Sequence, residues 1–200
     1  MPWKWISEDN RHSMTAANFA ASSPDRTAAR VRLRPTMTSD LDYVVSLEQA
    51  PENLEFITPW ERTQHEAAIR FPDFRHFIVE GGDGLEPVGF AILIGCRNQN
   101  MSIELKRMVV QSKGAGFGRA ALRVAKKIAF DDLNAHRFWL DVKRRNSRAK
   151  ALYDGEGFVV EGELRDAVKV ADGFESMIVM SMLRSEFTGR RGLGLELRPT

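Results

Sequence analysis

The segment Val109-Val110-Gln111-Ser112-Lys113-Gly114-Ala115-Gly116-Phe117-Gly118-Arg119 sets three alternate glycines between a strand-like run and a helix-like one. Glycines at that spacing let the backbone come close to a ligand and aim several N–H groups at one point. A helix start adds the positive end of its dipole, so the natural ligand is a phosphate or diphosphate. Charge agrees: residues 104–127 hold Lys106, Arg107, Lys113, Arg119, Arg123, Lys126 and Lys127 against Glu104, a local excess of +6. A Gly-rich turn under an ordinary solvated helix face is the plainer reading of the same residues.

A second group lies downstream. Asn146, Ala149 and Tyr153 fall at i, i+3 and i+7 and share one helix face, with a small residue between two polar ones. A slender ligand arm could lie there; equally, Asn146 could serve as a helix N-cap and Tyr153 could pack under a sheet. A nucleotide P-loop is excluded, because no Gly-Lys-Ser/Thr closes the turn. Gly116-x-Gly118-x-x-Ala121, with Asp141 beyond it, matches a dinucleotide fingerprint, but that fold opens with its glycine turn and needs two βαβ halves. The four histidines lack metal-ligand spacing, so no metal is expected.

The elements that must position these groups follow from periodicity. Val31 to Arg34 alternates and stops at Pro35, a first strand. Thr38 to Asp40 offers N-caps to a helix bearing Leu41, Val44 and Leu47; Pro51 and Pro59 interrupt, and a further helix covers 61–71. Residues 74–80, 87–95 and 101–110 form an antiparallel meander, and the glycine turn leads into a helix with Leu122, Ala125, Ala129 and Leu133 inward. Strand 138–142, helix 147–155 and strands near 157–168 and 174–183 complete the order β-α-α-β-β-β-α-β-α-β-β. That describes an α/β (α+β) fold with a mixed, mostly antiparallel central sheet of six to seven strands flanked by helices.

At Lys113-Gly114-Ala115-Gly116-Phe117-Gly118 the chain resembles the GNAT superfamily of acyl-CoA-dependent N-acetyltransferases, whose signature is Gln/Arg-x-x-Gly-x-Gly/Ala between strand and helix. Lys113 stands for the usual Gln or Arg, and Gln111 to Gly116 fits the signature literally. Asn146 to Phe158 is similar to the family's Asn-x-x-Ala-x-x-x-Tyr-x-x-x-Gly-Phe segment. The likeness covers 31–185 and lies nearest the branch with ribosomal-protein N-terminal acetyltransferases. It implies acetyl transfer from acetyl-CoA to a primary amine by direct attack in a ternary complex. Met108, Val109, Val110, Gln111, Lys113, Gly114, Gly116, Phe117, Gly118, Arg119, Asn146 and Ala149 would hold the cofactor, backbone N–H groups around Met108 to Val110 would face the oxyanion, and the Tyr153 hydroxyl would protonate the departing thiolate. Glu104, the one carboxylate in its strand, is the nominated base; its alternation with Lys106 and Met108 puts the three on one face. A sheet-surface ion pair is the competing role for Glu104. In the family layout, residues 38–61 border the acceptor. They hold Asp40, Asp42, Glu48, Glu52, Glu55 and Glu61 and no Lys or Arg, a rim of −6 suited to a cationic amine, with Glu55, Phe56 and Trp60 nearest it; Asp40 and Asp42 read more plainly as the solvated outer face of a helix. A non-catalytic acyl-CoA-binding or sensor domain is the alternative.

Composition sets the remaining bounds. Two hundred residues make one domain, 31–185, between an N-terminal extension (1–30) and a C-terminal tail (186–200). A formal charge of +2 gives no reason to expect nucleic acid. Cys96 alone excludes an internal disulfide and fits a reducing compartment. No apolar run approaches the ~20 residues that cross a bilayer. The expectation is a cytoplasmic monomer or homodimer whose partner is a small-molecule or peptide primary amine.

Overall fold

A computed structural model describes residues 30–193. The expected extension falls almost wholly outside these residues, as does the end of the tail. The strands are β1 (Val31–Pro35), β2 (Phe74–Gly81), β3 (Glu86–Ile94), β4 (Ser102–Val110), β5 (Arg137–Lys143), β6 (Val159–Val170) and β7 (Gly173–Leu183). The helices are α1 (Leu41–Glu48), α2 (Pro51–Leu54), α3 (Arg62–Arg70), α4 (Phe117–Lys127), α5 (Ser147–Gly155) and α6 (Arg184–Leu193). One seven-stranded sheet runs β1-β2-β3-β4-β5-β7-β6. Every neighbouring pair is antiparallel except β4 and β5.

Alternation along the strands divides the core. Ile78, Phe90, Ile92 and Val109 turn to one face, where Val44 and Leu47 of α1 cover them. Phe77, Val79, Ala91, Leu93, Ile103 and Leu105 turn to the other, against Ala121, Leu122 and Ala125 of α4 and Tyr153 of α5. Burying two apolar faces at ~25 cal/mol per Å² is what holds the sheet between its helical layers.

Three local departures from the sequence reading matter. Pro51 starts a helix instead of breaking one, because at the first helical position its missing N–H costs nothing. The glycine-bearing stretch after 183 forms α6, seeded by Glu186 Oε2 accepting from Leu183 N at 2.7 Å and by Phe187 stacking on Phe130 at 4.7 Å. Third, Ile92 pairs with Arg107 and Leu93 with Leu105, so Lys106 is an extra residue in β4. That bulge reverses the parity of the strand. Met108 therefore packs against the α4 side with Leu105, and Glu104, Lys106 and Met108 do not alternate on one face as expected.

Candidate active site

β4 and β5 pair over only three residues, Ser102–Glu104 with Arg137–Trp139, although β4 continues to Val110 and β5 to Lys143. Beyond that point the strands part, and the sheet has an opening through it. A cavity of about 690 Å³ occupies the opening. One wall is Leu105 to Val110 of β4 and the other Asp141 to Lys143 of β5; strand divergence frees main-chain groups that a sheet would otherwise pair.

At one mouth lie Lys113, Gly114, Gly116, Gly118 and Arg119 with Asn146, Arg148, Ala149, Leu152 and Tyr153. Gly114 has φ 90° and Gly116, the N-cap of α4, φ 83°, conformations that side chains resist. No side chain caps α4, so its first N–H groups are available to an anion. Asn146 caps α5, its Oδ1 accepting from Ala149 N at 3.1 Å, and also lines the cavity. Burial, with the Asp141 carboxylate adding to it, pushes the Tyr153 hydroxyl up to about 12, so the phenol keeps its proton at neutral pH.

At the other mouth lie Asn53, Phe56, Ile57 and Thr58, facing Lys143, Val168 and Met177. This 51–60 segment is held by cationic side chains that bond its carbonyls. Lys113 Nζ donates to Glu52 O (2.8 Å), Lys143 Nζ and Arg145 Nη2 to Glu55 O (2.8 and 2.9 Å), and Arg107 Nη2 to Thr58 O (2.7 Å). Burial, followed by the neighbouring Arg145, holds the Lys143 ammonium below its usual range.

The cavity gathers most of the residues nominated from sequence: Met108, Val109, Val110, Lys113, Gly114, Gly116, Gly118, Arg119, Asn146, Ala149, Tyr153 and Phe56. Gln111, Phe117, Glu104, Glu55 and Trp60 are not among its lining residues. Gln111 N bonds Val88 O at 2.8 Å, and Phe117 packs where a side chain on Gly81 would go. Glu104 is buried beside the base of the opening with Oε1 3.0 Å from Lys106 Nζ, and burial raises its carboxyl above the usual range. Trp60 lies beneath the Arg107 guanidinium, 4.5 Å from ring centroid to Cζ. Two further lining residues are Asp141, the carboxylate among the described lining residues, which the sequence brought up only within the dinucleotide fingerprint, and Lys143, which it did not single out. Strand alternation could have found both, since they lie two apart at the end of β5.

Five of the seven cations behind the +6 excess are engaged by carboxylates within the protein, although only two of those carboxylates, Glu48 and Glu156, were not already counted in it. Glu156, buried, draws Arg119 (3.2 Å), Arg123 (3.0 Å) and Lys126 (2.9 Å) onto one carboxylate. Lys106 pairs with Glu104 and Arg107 with Glu48. Among the described residues, no His/Cys/Asp/Glu group is arranged to hold a metal ion, and no helix is long and apolar enough to cross a membrane.

A family profile described as Acetyltransferase (GNAT) domain matches residues 30–159. The chain is 29% identical over 173 residues to a spermidine N(1)-acetyltransferase of Vibrio cholerae, covering 81% of this chain and 98% of that one. It is 27% identical over 171 residues to the Escherichia coli K12 protein of the same name, covering 80% and 89%. Among solved structures, a Vibrio cholerae spermidine N-acetyltransferase chimera aligns with a TM-score of 0.73 at 26% identity, over 80% of this chain and 99% of that one. A Vibrio cholerae spermidine N-acetyltransferase in complex with CoA and spermine has the same fold, with a TM-score of 0.72 at 24% identity over 79% and 98%. A strand-splayed opening with an uncapped glycine turn at one mouth is thus found where the family match lies, and the chain belongs to the GNAT acetyltransferase family as an acetyl-CoA-dependent N-acetyltransferase acting on a primary amine.

Proposed function

We propose that the acceptor is a polyamine or similarly charged aliphatic amine, entering at the mouth roofed by 53–58 and meeting the thioester inside the sheet. The observation that carries this reading is the Asp141 carboxylate on the cavity wall, an anionic partner for an entering ammonium group. The 27–29% identical relatives are spermidine acetyltransferases.

Acetyl-CoA supplies the activated acetyl group. The residues of this chain divide the work: the glycine turn and α4 N-terminus take the diphosphate, and Asn146 and Ala149 accommodate the arm. Backbone N–H groups freed along β4 around Met108 to Val110 receive the charge that develops on the carbonyl oxygen. The amine must lose a proton as it attacks, and the thiolate must gain one. Tyr153, held protonated, donates to sulfur. Glu104, its carboxyl raised by burial, takes the amine proton through water. Asp141 is the second reading for the base, because it lines the cavity and Glu104 does not.

Free-thiol release from acetyl-CoA over spermidine, spermine, an aminoglycoside and a peptide N-terminus tests the acceptor. Turnover should be highest with the polyamines; preference for the peptide overturns the reading. Glu104→Gln and Asp141→Asn then separate the bases, since the true one should abolish the acidic limb of the kcat/KM profile. The cytoplasmic location and monomeric or homodimeric state belong to the same reading. Light scattering distinguishes that state from an assembly like the dodecameric Vibrio cholerae neighbour.

A further inference from the structure

On the face of the sheet covered by α1 to α3, four polar side chains form a buried line that starts just past β1 and leads toward the acceptor mouth. Thr36 Oγ1 lies 2.9 Å from His76 Nδ1, His76 Nε2 lies 3.1 Å from His65 Nδ1, and His65 Nε2 lies 3.5 Å from Glu48 Oε2. Glu48 and His65 are fully buried. His65 Nε2 faces the Glu48 carboxylate as a close electrostatic contact without hydrogen-bond geometry, and the tautomer with its N–H on that edge gives the line a direction. His65 Nδ1 then accepts from His76 Nε2–H, and His76 Nδ1 from the Thr36 hydroxyl.

The line ends at the roof. Glu48 Oε2 accepts the Trp60 N–H at 2.6 Å, Oε1 lies 3.0 Å from Arg107 Nη1, and Arg107 Nη2 donates to Thr58 O at 2.7 Å. Pro59 lies between the two residues so held. It has no N–H and keeps Thr58 extended, so one buried ion pair fixes the two polar backbone groups that flank it. Thr58 and Arg107 line the cavity. Burying such a pair costs desolvation that its attraction scarcely recovers, and an apolar pair would fill the core as well. What an apolar pair cannot do is hold Thr58 C=O and Trp60 N–H.

We propose that Glu48 and Arg107 are positioning residues for the acceptor: through Trp60 N–H and Thr58 C=O they set the place of Phe56 to Thr58 at the amine mouth, with Thr36, His76 and His65 orienting the carboxylate. This rests on the acceptor mouth assigned above. Glu48→Gln turns an amide donor toward Arg107 while keeping the shape. In the full chain it should raise KM for the amine about tenfold, the loss expected for one charge-assisted contact, and leave KM for acetyl-CoA within about twofold. Hydrogen exchange at the Trp60 amide should quicken by about tenfold at the same time. An unchanged amine KM with a faster Trp60 amide makes the network merely structural and overturns the proposal, as does an equal rise in both KM values. Should Glu48→Gln fail to fold, Thr36→Val, which deletes only the far hydroxyl, takes its place. It should raise amine KM about two- to threefold, and no change in KM or in Trp60 exchange overturns the proposal. If the unmodified protein acetylates none of the amines, the acceptor reading falls instead. The positioning inference is then judged by exchange: confined to 56–60 in Glu48→Gln, with the acetyl-CoA thermal shift intact, it stands; otherwise it falls.

Discussion

Lys113 Nζ donates to the main-chain carbonyl of Glu52 at 2.8 Å, across sixty-one positions of sequence, so the glycine turn and the acceptor roof are joined by one ammonium. An ammonium has three donors, and this bond uses one. The same group can therefore reach a phosphate at the turn while keeping the roof in place. Lys113→Met should raise KM for acetyl-CoA by roughly tenfold, the worth of a charge-assisted bond. It should also raise amine KM, which a residue serving phosphate alone would leave unchanged. Steady-state kinetics with each substrate varied in turn distinguishes the two outcomes.

Tyr153 offers the sharpest test of chemistry. Its hydroxyl is held near 12 by burial and by Asp141, so it stays a proton donor across the neutral range. Tyr153→Phe removes the donor and little else, because the ring still packs against Phe158. The expected loss in kcat is about 10² to 10⁴, the usual value of general acid catalysis. Acetyl-CoA affinity, read by calorimetry, should not move. Lost binding with retained turnover would assign Tyr153 to packing.

How much of this was legible in the sequence depends on the scale at which physics acts. Both signature segments, Lys113 to Gly118 and Asn146 to Phe158, were readable because turn and helix-face geometry are local. The order of elements along the chain was readable from alternation for the same reason, whereas the place of β7 between β5 and β6 was not. The two charge totals said nothing of which side chains are free, since a run of like charge does not report partners distant in sequence. Asp40 pairs with Arg34 (2.7 Å), Asp42 with Arg62, and Glu48 lies buried beside Arg107. Glu52 and Glu55 are exposed in the segment beside the cavity, outside its lining. The bulge at Lys106 was likewise invisible, because it is defined by the register of β3 against β4 and leaves no mark in β4 alone. The histidines looked isolated at positions 65 and 76, yet the pairing of α3 with β2 brings their rings to 5.3 Å.

Glu156 shows what the cationic helix face is for. One carboxylate, 4% exposed, lies within 3.2 Å of Arg119, Arg123 and Lys126. Burial alone would raise its pKa, but the hydrogen bonds from Arg123 and Lys126 outweigh it and the carboxyl is lowered. The two arginines are about half exposed and can be resolvated, whereas the Lys126 ammonium is not. Glu156→Gln should therefore cost about 3–5 kcal/mol, chiefly through Lys126, and lower Tm by roughly 10 °C or more in a chain of this size. A double variant with Lys126→Met should recover much of that loss, which thermal melts followed by circular dichroism can establish.

His76 makes stability depend on pH in a window of its own. Burial, followed by the neighbouring His65, lowers its pKa to about 3 from the usual 6.5; Asp40 opposes the shift and Arg107 adds to it. The unfolded chain thus takes up a proton below pH 6.5 that the folded chain refuses. Stability from this group is complete above pH 6.5 and is lost as pH falls from there toward 3. The carboxyls held low by arginine or lysine, Asp40, Glu80, Glu156 and Glu161, act in the same direction but only below their unfolded values near 4.5. Between pH 6.5 and 4.5 the raised Glu104 carboxyl acts the other way, adding stability as pH falls, so the comparison with His76→Gln is what isolates the histidine line. Tm should fall through that interval in the unmodified protein, and His76→Gln should show a flatter dependence from a lower starting Tm. Equal slopes in the two proteins would mean that His76 accepts its proton in the folded state and that the line from Thr36 to Glu48 is broken at its second member.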